Sequence, residues 1–304
     1  MRIDFDFIDF SHCLRIEYTK LILKELTENG NSINLISDAG TGKSRLLKDL
    51  ESIVYPDLSI VYVNLKDYLW SYKGLNLFIK EKLKVKGNSK NLSQIFSKIC
   101  SSNYCILLID NYDAILQELK MDIEYDEDFF NDLNVIKNMH HVSILCSTKV
   151  PHNNMLVYIG GKNTNRNSWL TLERENLPKL TFKQIEEELR RQIISKELFL
   201  DLNDARQYLV RSILKSIEPY SLLIFVAKQL NSQTETCQNT PINRKLKSWT
   251  KQYKKQKTKS IEKFIHVIMN WLLRIWKVTR LEKIGNPLVS FLAQIINLFT
   301  RNKL

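Results

Sequence analysis

Residues 37–44 read Ser-Asp-Ala-Gly-Thr-Gly-Lys-Ser, and they fall where a short apolar run, Ile33 to Ile36, gives way to a helical pattern. Two of the chain's 8 glycines sit in this one turn. Glycine lets a backbone turn its N–H groups inward, and the positive end of the following helix adds to them. Together they make a cradle for phosphate oxygens. The usual phosphate-loop pattern is Gly, four residues, then Gly-Lys-Ser/Thr. Here Ser37 replaces the first glycine, which is tolerable if the loop bends without positive φ at that point. The loop positions Ser37, Asp38, Ala39, Gly40, Thr41, Gly42, Lys43, Ser44 and Arg45 are the expected nucleotide-binding residues. Lys43 reaches the β and γ phosphates, and Ser44 binds Mg²⁺.

The flanking pattern sets the fold class. Arg45 to Ile53 places Leu46, Leu47, Leu50 and Ile53 on one helical face, and Pro56 ends the unit. Leu58–Leu65, Tyr104–Ile109 and Val142–Cys146 are short runs rich in apolar and β-branched residues and read as strands, with Trp169–Glu173 as a fifth. Helical patterns fall at about 14–28, 75–100, 125–138, 182–196 and 202–231, the last interrupted near Pro219. Strands alternating with helices predict an α/β fold with a parallel sheet buried on both faces. The expected organisation is a P-loop NTPase core over 1–178, a helical lid over 179–233, a basic linker over 234–260 and a C-terminal amphipathic helical hairpin over 261–304.

A second acidic motif follows the third strand: Cys105-Ile-Leu-Leu-Ile-Asp110-Asn111-Tyr-Asp113. A carboxylate leaving the C-terminal edge of a parallel sheet stands where ligands collect. Asp110 is therefore assigned to Mg²⁺ together with Ser44. Related ATPases place a glutamate after that aspartate to orient the attacking water. Asn111 can hydrogen-bond water but cannot take its proton, so hydrolysis is expected to be slow. Asp113 either assists or caps the next helix. No guanine-specifying Asn/Thr-Lys-x-Asp follows a later strand, which favours ATP over GTP.

These residues, with Ile144-Leu145-Cys146-Ser147-Thr148-Lys149, resemble the STAND class of signal-transduction ATPases and the origin-recognition-like AAA+ ATPases, nearest to small bacterial ATP-binding proteins. The resemblance covers about residues 15–231. It implies that Ser147, Thr148 and Lys149 sense the γ phosphate, with Lys149 standing where the class has arginine, and that Lys43, Asp110, Asn111 and Lys149 form the catalytic set. Leu177-Pro178-Lys179-Leu180-Thr181 matches the segment before the lid helix, and Ile217-Glu218-Pro219 the motif that links lid movement to nucleotide. The activity implied is an ATP-gated molecular switch. Arg190 and Arg191 are an arginine-finger candidate or, more simply, a solvated face.

Charge is segregated. Residues 241–304 hold 15 Lys/Arg and 2 acids, leaving 30 against 31 in the remainder of a chain whose net charge is +12. Residues 241–260 interleave eight cations with Trp249 and Tyr253, which suits nucleic acid, an anionic membrane surface or a solvated linker. Residues 261–284 put Lys263, His266, Asn270, Arg274, Lys277 and Arg280 on one stripe of an otherwise apolar helix, favouring protein packing over membrane. Homo-oligomerisation or a partner protein through these helices follows from that reading. The alternatives to the switch are a DNA-associated ATPase using the basic tail and a non-catalytic ATP-binding adaptor. Five scattered cysteines, no apolar run of about eighteen residues and an acidic N-terminal stretch point to a cytoplasmic location, with peripheral membrane attachment as the alternative.

Overall fold

The computed structural model describes residues 3–89, 91–99, 103–117, 125–149, 158–159, 162–163, 170, 172–193, 203–232, 244–245 and 247–257. Four strands follow the apolar runs: β1 (Ile33–Ile36), β2 (Leu58–Asn64), β3 (Tyr104–Asp110) and β4 (Val142–Thr148). A two-residue hairpin, β5 (Tyr158–Ile159) with β6 (Lys162–Asn163), precedes β7 (Glu173–Asn176). The main sheet is fully parallel in the order β2-β3-β4-β1-β7. All seven residues of β3 and of β4 are buried. Strands this apolar on both faces need helices on either side.

Alternation along β3 divides the core in two. Cys105, Leu107 and Ile109 face α3 (Tyr72–Lys82), α4 (Leu92–Ser97) and α6 (Glu127–Lys137). Tyr104, Ile106 and Leu108 face α1 (Ile16–Thr27) and α2 (Lys43–Glu51). The short helix α5 (Asp113–Gln117) follows β3 directly. Beyond the sheet, α7 (Phe182–Gln192), α8 (Asn203–Leu214) and α9 (Pro219–Asn231), which fall in the segment expected to be the lid, pack on one another. Thr181 opens α7 with a capping box closed by Gln184. Pro219 occupies the first turn of α9, where its missing N–H costs nothing.

Several expectations are corrected. The fifth strand is Glu173–Asn176, not Trp169–Glu173. Among the described residues it lies at the sheet edge and pairs with β1 alone, so its polar sequence carries no apolar signal. The helical stretch expected over about 75–100 breaks into α3 and α4, with Lys84 and Gly87 at positive φ between them. β3 and β4 run on to Asp110 and Thr148, one and two residues past the apolar runs. The basic stretch read as linker is helical at residues 244–245 and 247–257, where no proline or glycine interrupts it.

The chain divides into two compact units, Met1–Asn243 and Arg244–Leu304. The first holds both the sheet and the lid. Trp169, Cys100, Cys237 and the helices expected at 261–284 and 288–300, His266 included, lie outside the described residues.

Candidate nucleotide site

The loop at the end of β1 is shaped by its own sequence. The Ser37 amide donates to the Thr148 carbonyl at 3.2 Å, which carries sheet pairing one step beyond Ile36. Gly40 and Gly42 then turn through positive φ, 73° and 102°. At Gly40 a Cβ would stand 2.6 Å from Glu218 Cβ, so a side chain is excluded by contact as well as by backbone conformation. Among the described residues the non-glycine positions with positive φ are Asp57, Lys84, Asn111 and His141, so Ser37 needs no glycine. Its hydroxyl instead donates to Thr41 Oγ1 at 2.9 Å, and Thr41 Oγ1 donates to the Asp38 carbonyl at 2.8 Å.

Lys43 begins α2 and folds over the loop, donating to the carbonyls of Ser37 and Asp38. Burial holds its ammonium below the usual lysine range, while Asp113, Asp110 and Asp38 oppose that shift and Lys149 adds to it. The same electrostatic neighbourhood therefore contains Lys43, Asp110, Asp113 and Lys149. Ser44 is exposed in the first turn of α2. Ala39 is exposed on the loop's outer bend.

Asp110 is buried at the end of β3, and its carboxylate is held by three donors. Ser147 Oγ and the Asn111 amide donate to Oδ1, the latter at 3.0 Å, and the Tyr62 hydroxyl donates to Oδ2 at 3.0 Å. That charge and those bonds, with desolvation foremost, push the Tyr62 phenol up. Asn111 sits at φ 54°, a left-handed conformation that asparagine tolerates better than most residues. Its Nδ2 donates to Asn64 Oδ1 at 2.9 Å across the ends of β3 and β2. Thr148 Oγ1 donates to the buried Asn34 Oδ1 at 2.9 Å. The Lys149 amide donates to Asp113 Oδ2 at 3.2 Å, and its side chain is exposed.

The donor set suits a hard divalent cation such as Mg²⁺. The Ser44 hydroxyl and the Asp110 carboxylate are the oxygens that could hold it, with Asp113 in the same charge cluster around Lys43. Among the described residues no cluster of three or more His, Cys, Asp and Glu forms a cage. A cation here would take most of its shell from phosphate oxygens and water, as Mg²⁺ commonly does.

Arg45, expected among the nucleotide-binding positions, reaches towards the helices and the N-terminal segment. Its Nε lies 3.1 Å from Asp49 Oδ1, its Nη2 lies 3.5 Å from Glu188 Oε2 on α7, and Nη2 donates to the His12 carbonyl at 2.8 Å. Of the arginine-finger candidates, Arg190 pairs with Glu186 at 3.1 Å. Arg191 binds Glu188 at 3.3 Å and the carbonyls of His12 and Cys13.

Sequence reasoning missed the residues that join loop to lid. Arg15 is only 2% exposed. Its Nη2 donates to the Thr41 carbonyl at 2.9 Å and its Nε to the Pro178 carbonyl at 3.3 Å, just before the lid. Burial lowers its guanidinium to about 10, which leaves it charged at neutral pH. The amides of Tyr220 and Ser221, in the first turn of α9, donate to the Gly40 carbonyl at 3.0 and 3.1 Å. Orphan N–H groups at a helix start thereby find an acceptor in the phosphate loop itself. Tyr62, Asn64 and Glu188 were missed as well. Asn64 alone carried a sequence signal, a polar residue closing an apolar strand.

Residues 33–156 match the family model described as the ATPase family associated with various cellular activities (AAA). No curated protein matches the sequence. Among solved structures, a Drosophila ORC bound to DNA aligns with a TM-score of 0.50 at 13% identity, covering 80% of this chain and 67% of that one. A Walker-type ATPase of Pyrococcus abyssi aligns with a TM-score of 0.49 at 12% identity over 83% of this chain and 75% of its own. The Aeropyrum pernix ORC2 protein in its ADP form aligns with a TM-score of 0.45 at 11% identity over 70% and 60%. At such identities the likeness concerns the fold alone. Among the described residues no helix is long and apolar enough to cross a membrane. The family match over residues 33–156 spans β1 to β4 of the parallel sheet and the loop that follows β1.

Proposed function

We propose that the first unit is an ATP-gated switch in which phosphate binding at residues 37–44 sets the position of the lid helices. The observation that carries this reading is the Gly40 carbonyl, which accepts from both Tyr220 and Ser221. A loop that reorganises around phosphates cannot keep those bonds unchanged, so the nucleotide has differential contacts with two lid arrangements. Differential contact is what a ligand needs to shift a conformational equilibrium.

In this reading Lys43 leaves the carbonyls of Ser37 and Asp38 for the β and γ phosphates. Ser44 and Asp110 hold Mg²⁺, which would offset phosphate charge. Lys149 approaches the γ phosphate. Asn111 orients water through its amide but provides no base, so turnover is slow and the bound state persists. ATP fits the absence of a guanine-reading motif in the sequence.

The test is hydrogen exchange over residues 182–231 with and without Mg-ATP, using Lys43→Ala as control. The switch predicts altered exchange in α7 and α9 for the wild type and none in the variant. An identical response in both, or no response in a wild type shown to bind ATP, sinks the reading.

A further inference from the structure

Two carboxylates share one guanidinium where the phosphate-loop helix meets the lid. Glu188 on α7 has no solvent exposure, and Asp49 on α2 has 2%. Two oxygens of the pair accept hydrogen bonds, whereas Glu188 Oε2 is buried with ion-pair neighbours but no hydrogen bond. Asp49 Oδ2 accepts from the Leu14 amide at 2.9 Å and Oδ1 faces Arg45 Nε. Glu188 Oε1 accepts from Gln192 Nε2 at 3.0 Å, and Oε2 faces Arg45 at 3.5 Å and Arg191 at 3.3 Å. Gln192 and Arg191 belong to α7 itself, so Arg45 supplies the charge that comes to Glu188 from the core. The His12 carbonyl accepts from Arg45 and from Arg191, both at 2.8 Å, and ties the N-terminal segment into the same junction.

We propose that Arg45 is a positioning residue that couples the phosphate loop to the lid through the buried Glu188. The inference rests on the switch reading above and names its transmitting contact. Arg45 follows Ser44 directly and lies in the first turn of α2, whose free amides face the loop. A small rotation of that turn on phosphate binding moves the guanidinium relative to Glu188. Moving Arg45 away leaves Glu188 with Arg191 of its own helix alone, and the buried carboxylate loses the one of these two cations that ties α7 to α2. Lysine at this position would keep the charge but could not face Asp49, Glu188 and the His12 carbonyl at once, since it lacks arginine's planar fork.

The experiment uses the full chain, with Glu188→Gln as the near-isosteric variant and Arg45→Lys as the conservative one. Hydrogen exchange of α7 and α9 is followed with and without Mg-ATP, and the ATP Kd is measured in parallel. In nucleotide-free protein, Glu188→Gln is expected to exchange lid amides at least about tenfold faster while β3 and β4 are unchanged. Adding Mg-ATP is expected to change lid exchange in the wild type, less in Arg45→Lys and not in Glu188→Gln. A merely structural pair would shift the baseline of the variants and leave their response to Mg-ATP at the wild-type size. Wild-type lid exchange in nucleotide-free Glu188→Gln, or a full Mg-ATP response in that variant, overturns the coupling. Failure of the wild type to bind ATP would instead overturn the nucleotide reading, and the nucleotide-free comparison still decides whether Arg45 and Glu188 hold the lid.

Discussion

The amide of Tyr220 donates to the carbonyl of Gly40 at 3.0 Å, so the first turn of the lid helix α9 rests on the bend of the phosphate loop. Residues 180 positions apart thus share a hydrogen bond at the point where a nucleotide's phosphates would lie. Glu218 fills the space over the same glycine. Loop shape and lid position are consequently one variable.

Gly40→Ala should therefore disturb both. The substitution meets Glu218 Cβ at 2.6 Å and forces a non-glycine residue to a φ of 73°. Left-handed strain plus the clash should cost about 2 kcal/mol, read by denaturant unfolding. Hydrogen exchange should place the loss in α9 ahead of the sheet. A variant of wild-type stability with an undisturbed α9 would show that the lid does not depend on the loop.

Asn111→Glu tests the proposal that turnover is slow for want of a base. Glutamate supplies the missing base, and steady-state ATP hydrolysis should rise by roughly tenfold or more. The gain carries a cost. Glutamate is poorly suited to φ 54°, and the bond to Asn64 is altered, so stability should fall by about 1 kcal/mol. Unchanged turnover in a variant that still binds ATP would mean that Asn111 does not limit the reaction.

The Lys43 ammonium gives a pH signature. Burial lowers its folded pKa below 10.5. Between that lowered value and 10.5 the unfolded chain binds the proton more tightly, so this group's contribution to stability rises with pH across the window. Phosphate binding needs the charged form and has the opposite sign. ATP affinity should fall as pH rises through the same window, and titrations carried from neutral pH to 10.5 will detect it. Affinity that is flat over that range would detach Lys43 from phosphate binding.

Thiol labelling offers a check on the core. Cys13, Cys105 and Cys146 are buried, and burial pushes the Cys13 thiol up to about 12 and the Cys146 thiol higher still. Thiolates are the reactive species. In folded protein these three should resist maleimide at neutral pH and react on unfolding, as peptide mapping will show. Rapid labelling of Cys146 in the native state would contradict its place in β4.

The parts of the fold that could be read in the sequence are those where burial and composition agree. β1 to β4 are apolar because both of their faces are covered, and a run such as Cys105–Ile109 has no other explanation. β7 has the sequence Glu-Arg-Glu-Asn and hydrogen-bonds on one side only, so nothing in its composition marks it. Residues 37–44 and Asp110 were expected at strand ends because the chemistry proposed for them needs particular residue types there, and they lie at the ends of β1 and β3. Arg15 was not, because a buried cation is indistinguishable from a solvated one until its partners, the Thr41 and Pro178 carbonyls, are known. Arg45 was expected at the nucleotide from its position in the motif, and its neighbours Asp49 and Glu188 are contacts that the motif does not record. Contacts between distant segments decide such cases, and local patterns do not record them.

The central claim is that residues 37–44 bind Mg-ATP through Lys43, and thermal unfolding tests it most directly. At ATP near one hundred times its Kd, binding adds about 2.7 kcal/mol, which for a unit of this size is roughly 5–10 °C in Tm. Wild type should show that shift, and Lys43→Ala should show almost none at the same concentration. An equal shift in both proteins, or none in the wild type at millimolar Mg-ATP, would contradict the account.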